Sequence, residues 1–350
     1  MRRGSFICVF TCCLGLLAMT AGRAARAAKS ALEIYFIDVE GGQSTLVVDP
    51  LGESLLVDTG WDDFNGRDAN RILAAAKAAG IDHIDDLVIT HYHSDHVGGV
   101  TQLAAKIKIG AFFDHGPNTV ENSAEVEHNY TAYLAVAGSK RVIVKPGDRI
   151  PLKGMTVEVL EAAGEGIHKP LPGAGQPNPL CASEPRALPD STENSQSVGL
   201  LVTYGRFRFI DLGDLTNQKE LQLVCPNNLI GTVDLFLVTH HGTEHPGTGD
   251  SSNTPAVVDA LHPRVGVMNN GALKGGHPLA WQTVHDSPGL EDLWQLHYSM
   301  SGGPEHNSPR DFIANVGGDE DGNYIEAFAS RDGSFTVMNS RNNFSKTYSK

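Results

Sequence analysis

Residues 90–99 read Thr90-His91-Tyr92-His93-Ser94-Asp95-His96-Val97-Gly98-Gly99. The stretch follows directly on an apolar run, Leu87-Val88-Ile89. Such a run predicts a buried strand, and groups just past a strand end are held by a rigid frame while staying accessible. Three histidines and an aspartate in six residues are donor types that suit zinc, iron or manganese. Four such groups crowd a single ion. The pattern therefore divides them, with His91 and His93 on one ion and Asp95 and His96 on a second. A lone histidine after a strand is ordinarily a hydrogen-bonded surface residue, but that explanation does not extend to a cluster of four.

The same geometry recurs twice. Phe209-Ile210-Asp211-Leu212-Gly213-Asp214 sets a carboxylate behind a strand and a glycine, where backbone can approach closely. Asp214 there is suited to bridge two ions; its plainer reading is a cap for a helix over Thr216 to Val224. The apolar run Leu235 to Thr239 ends at His240, followed by His241-Gly242. The expected metal ligands are thus His91, His93, Asp95, His96, Asp214 and His240. Asp95 is expected both to ligate and to orient the attacking water. His277 precedes Pro278 in a glycine-rich loop and is a candidate proton donor or anion contact, against the plainer reading of a turn histidine. His241 and His115 are candidates for supporting contacts behind the ligands.

Working outward, Leu32 to Pro50 is apolar on both sides of a Gly41-Gly42 turn, and Leu55 to Asp58 adds a third strand candidate. Ala69 to Ala79 has helical composition and Gly80 stops it. Ser123 to Ala137 reads as a further helix, Ile109 to Phe113 as a strand. Strands alternate with helices in both halves, with hairpins among the crossovers. This predicts a mixed α/β class in which helices cover mixed sheets. From Gly164 to Asn194 the chain is rich in Pro, Gly and polar residues, which predicts a long loop or insertion. Residues 29–350 are otherwise expected to form one hydrolase domain. Neither Gly-x-Gly-x-x-Gly nor a phosphate-loop lysine motif occurs, so a nucleotide-cofactor fold has no support; Gly-x-Ser-x-Gly is absent too.

His-x-His-x-Asp-His, then Gly213-Asp214, then a strand ending at His240, resembles the metallo-β-lactamase superfamily. Within it the chain is similar to the metallo-hydrolase domain of bacterial DNA-uptake channel proteins and their stand-alone secreted relatives. Phe36-Ile37-Asp38-Val39 with Gly42-Gln43-Ser44, Leu56-Val57-Asp58-Thr59-Gly60, Asn194-Ser195, Asn270-Gly271 and Gly276-His277-Pro278 carry that likeness. The resemblance implies an αββα sandwich with metals between the loop ends of two sheets. It also implies a third histidine on the first ion, about 20 residues before the bridging aspartate, where this chain has Asn194. An amide oxygen is a weaker donor that suits harder ions. His168, in the Pro/Gly-rich segment, is an alternative donor. The expected cofactor is one or two Zn2+ ions, with Mn2+ or Fe as alternatives.

Residues 1–28 start with Arg2-Arg3, continue with an apolar run from Phe6 to Met19, and reach Ala25-Arg26-Ala27. This is the pattern of a cleaved signal peptide; the run falls short of the roughly 20 apolar residues of a membrane span. The expected location is secreted or periplasmic. Cleavage leaves two of five cysteines, Cys181 and Cys225, which an oxidising compartment allows to pair. It removes four arginines, so net charge moves from -14 to -18. Such acidity disfavours a broad nucleic-acid surface, although bound cations invert the local field. The expected partner is a small-molecule or phosphodiester substrate, with no membrane after cleavage and no obligate protein partner.

These features predict a metal-dependent hydrolase that uses a metal-bound hydroxide, acting foremost on a phosphodiester or related phosphate ester. Lactam, lactone or thioester hydrolysis uses the same chemistry. A non-catalytic metal-binding module is the alternative of a different class.

Overall fold

A computed structural model of the 350-residue chain describes Met1 and residues 31–62, 64–184, 187–245, 248–317 and 322–350. The expected signal peptide lies outside the described residues, apart from Met1. The N-terminal half opens with a meander of β1 (Leu32–Phe36), β2 (Thr45–Val48) and β3 (Ser54–Val57). Helix α1 (Arg67–Ala79) crosses to β4 (His83–Val88), which lies parallel to β3, and Gly80 caps α1 in a left-handed conformation. Short helices α2 (Ser94–Val97) and α3 (Val100–Ala104) lead to β5 (Lys108–Asp114). Helix α4 (Ala124–Ala137), capped by Ser123, leads to β6 (Arg141–Ile143).

The chain then builds a second sheet from β7 (Arg149–Ile150), β8 (Thr156–Ala162), β9 (Glu165–Gly166), β10 (Gly199–Tyr204) and β11 (Phe207–Asp211). Helix α5 (Asn217–Val224), β12 (Leu235–Leu237), α6 (Pro255–Leu261), β13 (Val265–Met268), α7 (Pro278–His285), β14 (Asp292–His297) and β15 (Ile313–Asn315) follow. Finally β16 (Ile325–Ala329), β17 (Phe335–Asn339) and β18 (Ser345–Tyr348) return to the first sheet, with β16 antiparallel to β1. Among the described residues the two sheets run β18-β17-β16-β1-β2-β3-β4-β5-β6 and β15-β14-β13-β12-β11-β10-β8-β7, with β9 paired to β8.

Both faces of each sheet are apolar, which makes the structure four-layered. Leu32, Ile34 and Phe36 of β1 point into one core with Val159, Phe209, Leu235, Val267 and Trp294 of the other sheet. The alternate residues Tyr35, Leu46 and Leu56 pack outward on Ile72 of α1, Leu103 of α3 and Tyr133 of α4. On the far side, Leu201, Ile210 and Phe236 pack on Leu223 of α5, Val257 of α6 and Val284 of α7. Period-two alternation sends neighbouring residues to opposite faces, so each strand feeds two cores. This is the αββα sandwich the sequence predicts.

Among the described residues, the Gly164–Asn194 segment is a long connection between β8 and β10 carrying only short structure. An isolated bridge pairs Pro177 with Asn227. A disulfide joins Cys181 to Cys225 at the end of α5, with Cα atoms 5.8 Å apart. No helix of the described residues is long and apolar enough to cross a membrane.

Candidate metal centre

The strands β4, β11 and β12 end at a common edge, and the chain past each end supplies the polar groups. Beyond β4, Ile89 N donates to Phe113 O, and His91 then leaves the sheet. Gly98 and Gly99 let α2 and α3 close onto the loop after β3: a Cβ on Gly99 would run into the Thr59 carbonyl oxygen. Thr59 N in turn donates to His96 O at 2.7 Å. Beyond β11, Gly213 has φ 56°, a left-handed turn that brings Asp214 back over Ser197. Beyond β12, His240 and His241 are both left-handed as well, each with φ 55°.

At the centre stand Asp95, His96, Asp214 and His241, all buried, with one donor atom of each within 4.8 Å of the others. His96 Nε2 is 3.2 Å from Asp214 Oδ2 and 3.4 Å from Asp95 Oδ2. His241 Nε2 is 3.2 Å from both carboxylates and 3.2 Å from His96 Nε2. Two buried carboxylates facing two imidazole nitrogens form a donor set for a divalent cation. Burial alone would raise the Asp214 carboxyl, but His241, His96 and His240 outweigh it and hold it well below its usual range. Burial likewise opposes charge on His96, and Asp214, Asp95 and Asp58 overcome that, raising it well above the ordinary value.

Next to this cluster, the His91 ring lies 4.1 Å from that of His96. His91 Nε2 is 3.0 Å from His93 Nδ1, so two imidazole nitrogens converge on one point. Burial, then the charges of His96 and His93, lowers His91 well below its usual value, leaving a neutral ring with a lone pair. His240 Nε2 reaches Asp214 Oδ2 at 3.5 Å. The structure therefore gathers all six residues singled out from the sequence. It seats His241, not His240, in the tightest group, and His240 stands on another side of Asp214, near Asn194. His168 is exposed and lines a surface cleft with Lys145, Glu158 and Pro170, so it is not gathered with the others.

Three of the imidazoles, those of His91, His93 and His96, are aimed from behind. Asp58 Oδ2 accepts from His96 Nδ1 at 2.7 Å, and Thr90 secures both Asp58 oxygens. Glu121 Oε2 holds His93 Nε2 at 3.0 Å, and Ser197 Oγ stands 3.3 Å from His91 Nδ1. His115, expected as a support, binds Glu193 Oε2 at 3.1 Å; the same oxygen accepts from Tyr92 N. Fixing one ring nitrogen fixes the tautomer and direction of the other. His277 contacts Glu244, its Nδ1 2.9 Å from Glu244 N, and its ring is 5.0 Å from His245. Those contacts brace the 239–245 turn rather than reach the cluster.

Residues not foreseen complete the surroundings. Lys274 Nζ contacts Asp95 Oδ2, donates to Gly41 O at 2.9 Å and lies 5.4 Å from the Trp61 ring centre. Asp211, fully buried, is pushed up to about 7 by desolvation while Gln43 donates to both its oxygens. Asp58 was visible in Leu56-Val57-Asp58-Thr59-Gly60, but only as a motif residue. Nothing local in Glu121 or Lys274 marks them.

The family model for the metallo-β-lactamase superfamily matches residues 37–176, which include the His91–His96 segment and Asp58. The metallo-β-lactamase fold protein YhfI from Bacillus subtilis is 11% identical over 76% of this chain and 96% of its own, with TM-score 0.47. A variant of the CmlA β-hydroxylase is 16% identical over 76% of this chain, with TM-score 0.44, and this chain spans 52% of its length. A diphosphatase of the PhnP family is 14% identical over 69% of this chain and 86% of its own, with TM-score 0.38. Two sheets with helices covering them make a mixed α/β fold that matches the αββα sandwich of the metallo-β-lactamase type.

Proposed function

We propose that the chain is a metal-dependent hydrolase of a phosphodiester or related phosphate ester, with the ions held by His91, His93, Asp95, His96, Asp214, His240 and His241. The observation that carries this reading is the buried Asp95–His96–Asp214–His241 cluster at the strand ends. The donors fit a divalent ion. Asp214 Oδ1 and Asn194 Oδ1 are buried without a hydrogen-bond partner, and such oxygens are costly unless something satisfies them. Imidazole and carboxylate donors suit Zn2+; the share of oxygen donors keeps Mn2+ and Fe as alternatives. When bound, the ions supply Lewis acidity, which makes water acidic enough to attack at neutral pH and draws charge from the scissile bond.

The protein's own groups do the positioning. Asp58, Glu121 and Ser197 lock three imidazoles in direction, so little reorganisation accompanies binding. Lys274 sits at the rim with its side chain 39% exposed, close enough to Asp95 to meet an anionic group of the substrate. That local cation offsets the chain's overall acidity. The likeness to DNA-uptake metallo-hydrolase domains in the Phe36–Val39 and Leu56–Gly60 motifs supports the choice of a phosphodiester.

The test is a panel of bis-p-nitrophenyl phosphate, single-stranded DNA and a chromogenic lactam, assayed after chelation and after metal restoration. Diester turnover that chelation removes and metal restores is expected. Turnover of the lactam alone would move the assignment to amide or ester hydrolysis. Metal binding with no turnover on any substrate would make the chain a binding module.

We also infer export to the periplasm or medium. The N-terminal pattern and the Cys181–Cys225 bond support this, because disulfides persist in oxidising compartments. Sequencing the N-terminus of protein recovered from the periplasm should begin near residue 28; a retained Met1 in the cytoplasm would reject export.

A further inference from the structure

Outside the metal cluster, a second group of charged side chains joins the two sheets. His297 ends β14 of one sheet, and Asp38 stands two residues past the end of β1 in the other. His297 Nε2 is 2.7 Å from Asp38 Oδ1 and 3.4 Å from Glu40 Oε2. Arg71 of α1 joins them, 2.9 Å from Asp38 Oδ2 and 3.1 Å from Glu40 Oε1. Asp38 and His297 are only 1% and 4% exposed, so little water screens the group. Two carboxylates face Arg71 and His297, and the charges balance only while the imidazole carries its second proton.

The group holds two loops that meet over Asp95. Asp38 and Glu40 lead into Gly41-Gly42-Gln43, where Gln43 N donates to Asp95 O at 3.0 Å. A Cβ on Gly42 would run into that same carbonyl oxygen. On the other side, the His297 carbonyl oxygen accepts from Asn270 Nδ2 at 2.9 Å. That bond anchors the 270–276 loop, whose Lys274 donates to Gly41 O at 2.9 Å and contacts Asp95 Oδ2. The loops meet backbone to backbone: a Cβ on Gly271 would run into Glu40 O. The last residue of β14 thus ties down both, its ring holding the first loop and its carbonyl the second.

We propose that His297 is a positioning residue: protonated, it clamps the 38–43 and 270–276 loops against Asp95, and it frees them when the proton leaves. Asp38, Glu40 and His297 also offer three metal-type donors. Arg71, however, already pairs with both carboxylates and would repel a cation placed among them. Burial opposes charge on the His297 ring, but the hydrogen bond and charge of Asp38, with Glu40, outweigh burial and Arg71 and raise it above its ordinary value. The clamp is therefore complete below about pH 6.5, the ordinary histidine value, and is lost as pH rises through the raised one. The consequence for Asp95 as a ligand rests on the metal-dependent reading above; the clamp itself does not.

Hydrogen–deuterium exchange of the full chain, with and without EDTA, tests this without substrate or turnover. After correction for intrinsic rates, residues 38–43 and 270–276 should exchange about tenfold faster at pH 9 than at pH 6, while β1 and β14 stay protected. His297→Gln keeps a neutral donor toward Asp38 and should exchange at the faster rate at both pH values. Asp38→Asn removes the main support of the charge and should move the transition to lower pH. Equal corrected rates at both pH values in the wild type would overturn the proposal, whether or not the variants fold. So would a pH response that survives in a folded His297→Gln, or loops open at pH 6 that only Zn2+ closes. Each of these results leaves the metal-dependent reading standing, and absence of hydrolysis leaves the clamp standing.

Discussion

Asp214 has two unlike neighbourhoods. Toward His96 and His241 the donors are buried and crowded, 3.2–3.4 Å apart. Toward His240 they stand 3.4–3.6 Å apart, and the Asp250 side chain is 43% exposed. The crowded side is made of groups just past strand ends, with His96 tied through Asp58 to the end of β3. The open side joins His240, itself just past β12, to connections, one of them the Pro/Gly-rich segment that delivers Asn194. Sheet hydrogen bonds fix the first within narrow limits, whereas a connection moves with its own anchors. The fold thus sets a tightly held cluster of donor groups beside a looser set.

The largest effect should come from the group the two sides share. Asp214→Asn removes the only charge common to both and is expected to abolish hydrolysis and release both ions, with the circular dichroism spectrum unchanged. One tightly held ion remaining in that variant would show that the two sides are independent.

The disulfide anchors the open side. Replacing Cys181 and Cys225 by serine opens a link across a separation of 44 residues. Unfolding in urea should show a loss of about 2–4 kcal/mol. Amide exchange should rise over residues 176–197 and stay low at His96. Equal loss of protection on both sides would contradict the contrast.

On the crowded side, Asp58→Asn keeps the volume but weakens the grip on His96 Nδ1. Metal affinity should fall about 10–100-fold for one ion of the two, as measured by competition with a chromogenic chelator. A fall for both ions would mean that Asp58 acts on the whole site rather than on His96.

Lys274→Ala should have the smallest effect. Losing one charge-assisted contact at a partly exposed position is expected to raise KM for an anionic diester about three- to tenfold, with a smaller change for a neutral substrate. Equal changes for both would assign Lys274 to holding the 270–278 loop instead.

Much of this was legible along the chain. The apolar run of β1, the stop at Gly80, the helix over Ser123 to Ala137 and the chemistry after β4 are all local, and local patterns are what a sequence displays. The short β15 and β18 were not legible, because Ile313–Asn315 and Ser345–Tyr348 acquire strand character by pairing with distant neighbours. The Pro/Gly-rich composition identified a connection but could not say that its last residues reach the site.

By itself, then, the sequence determined the donor types, their order and their attachment to strand ends, since those depend on residues adjacent in the chain. Only the tertiary structure decided which of His240 and His241 turns toward His96, because two neighbouring histidines are chemically identical until left-handed backbone torsions separate them. It alone brought Glu121 to His93, Asp58 to His96 and Lys274 to Asp95, across 28, 38 and 179 residues of chain. The first two arise from pairing of β3, β4 and β5 within one sheet and the third from the stacking of the two sheets, and no local composition encodes them.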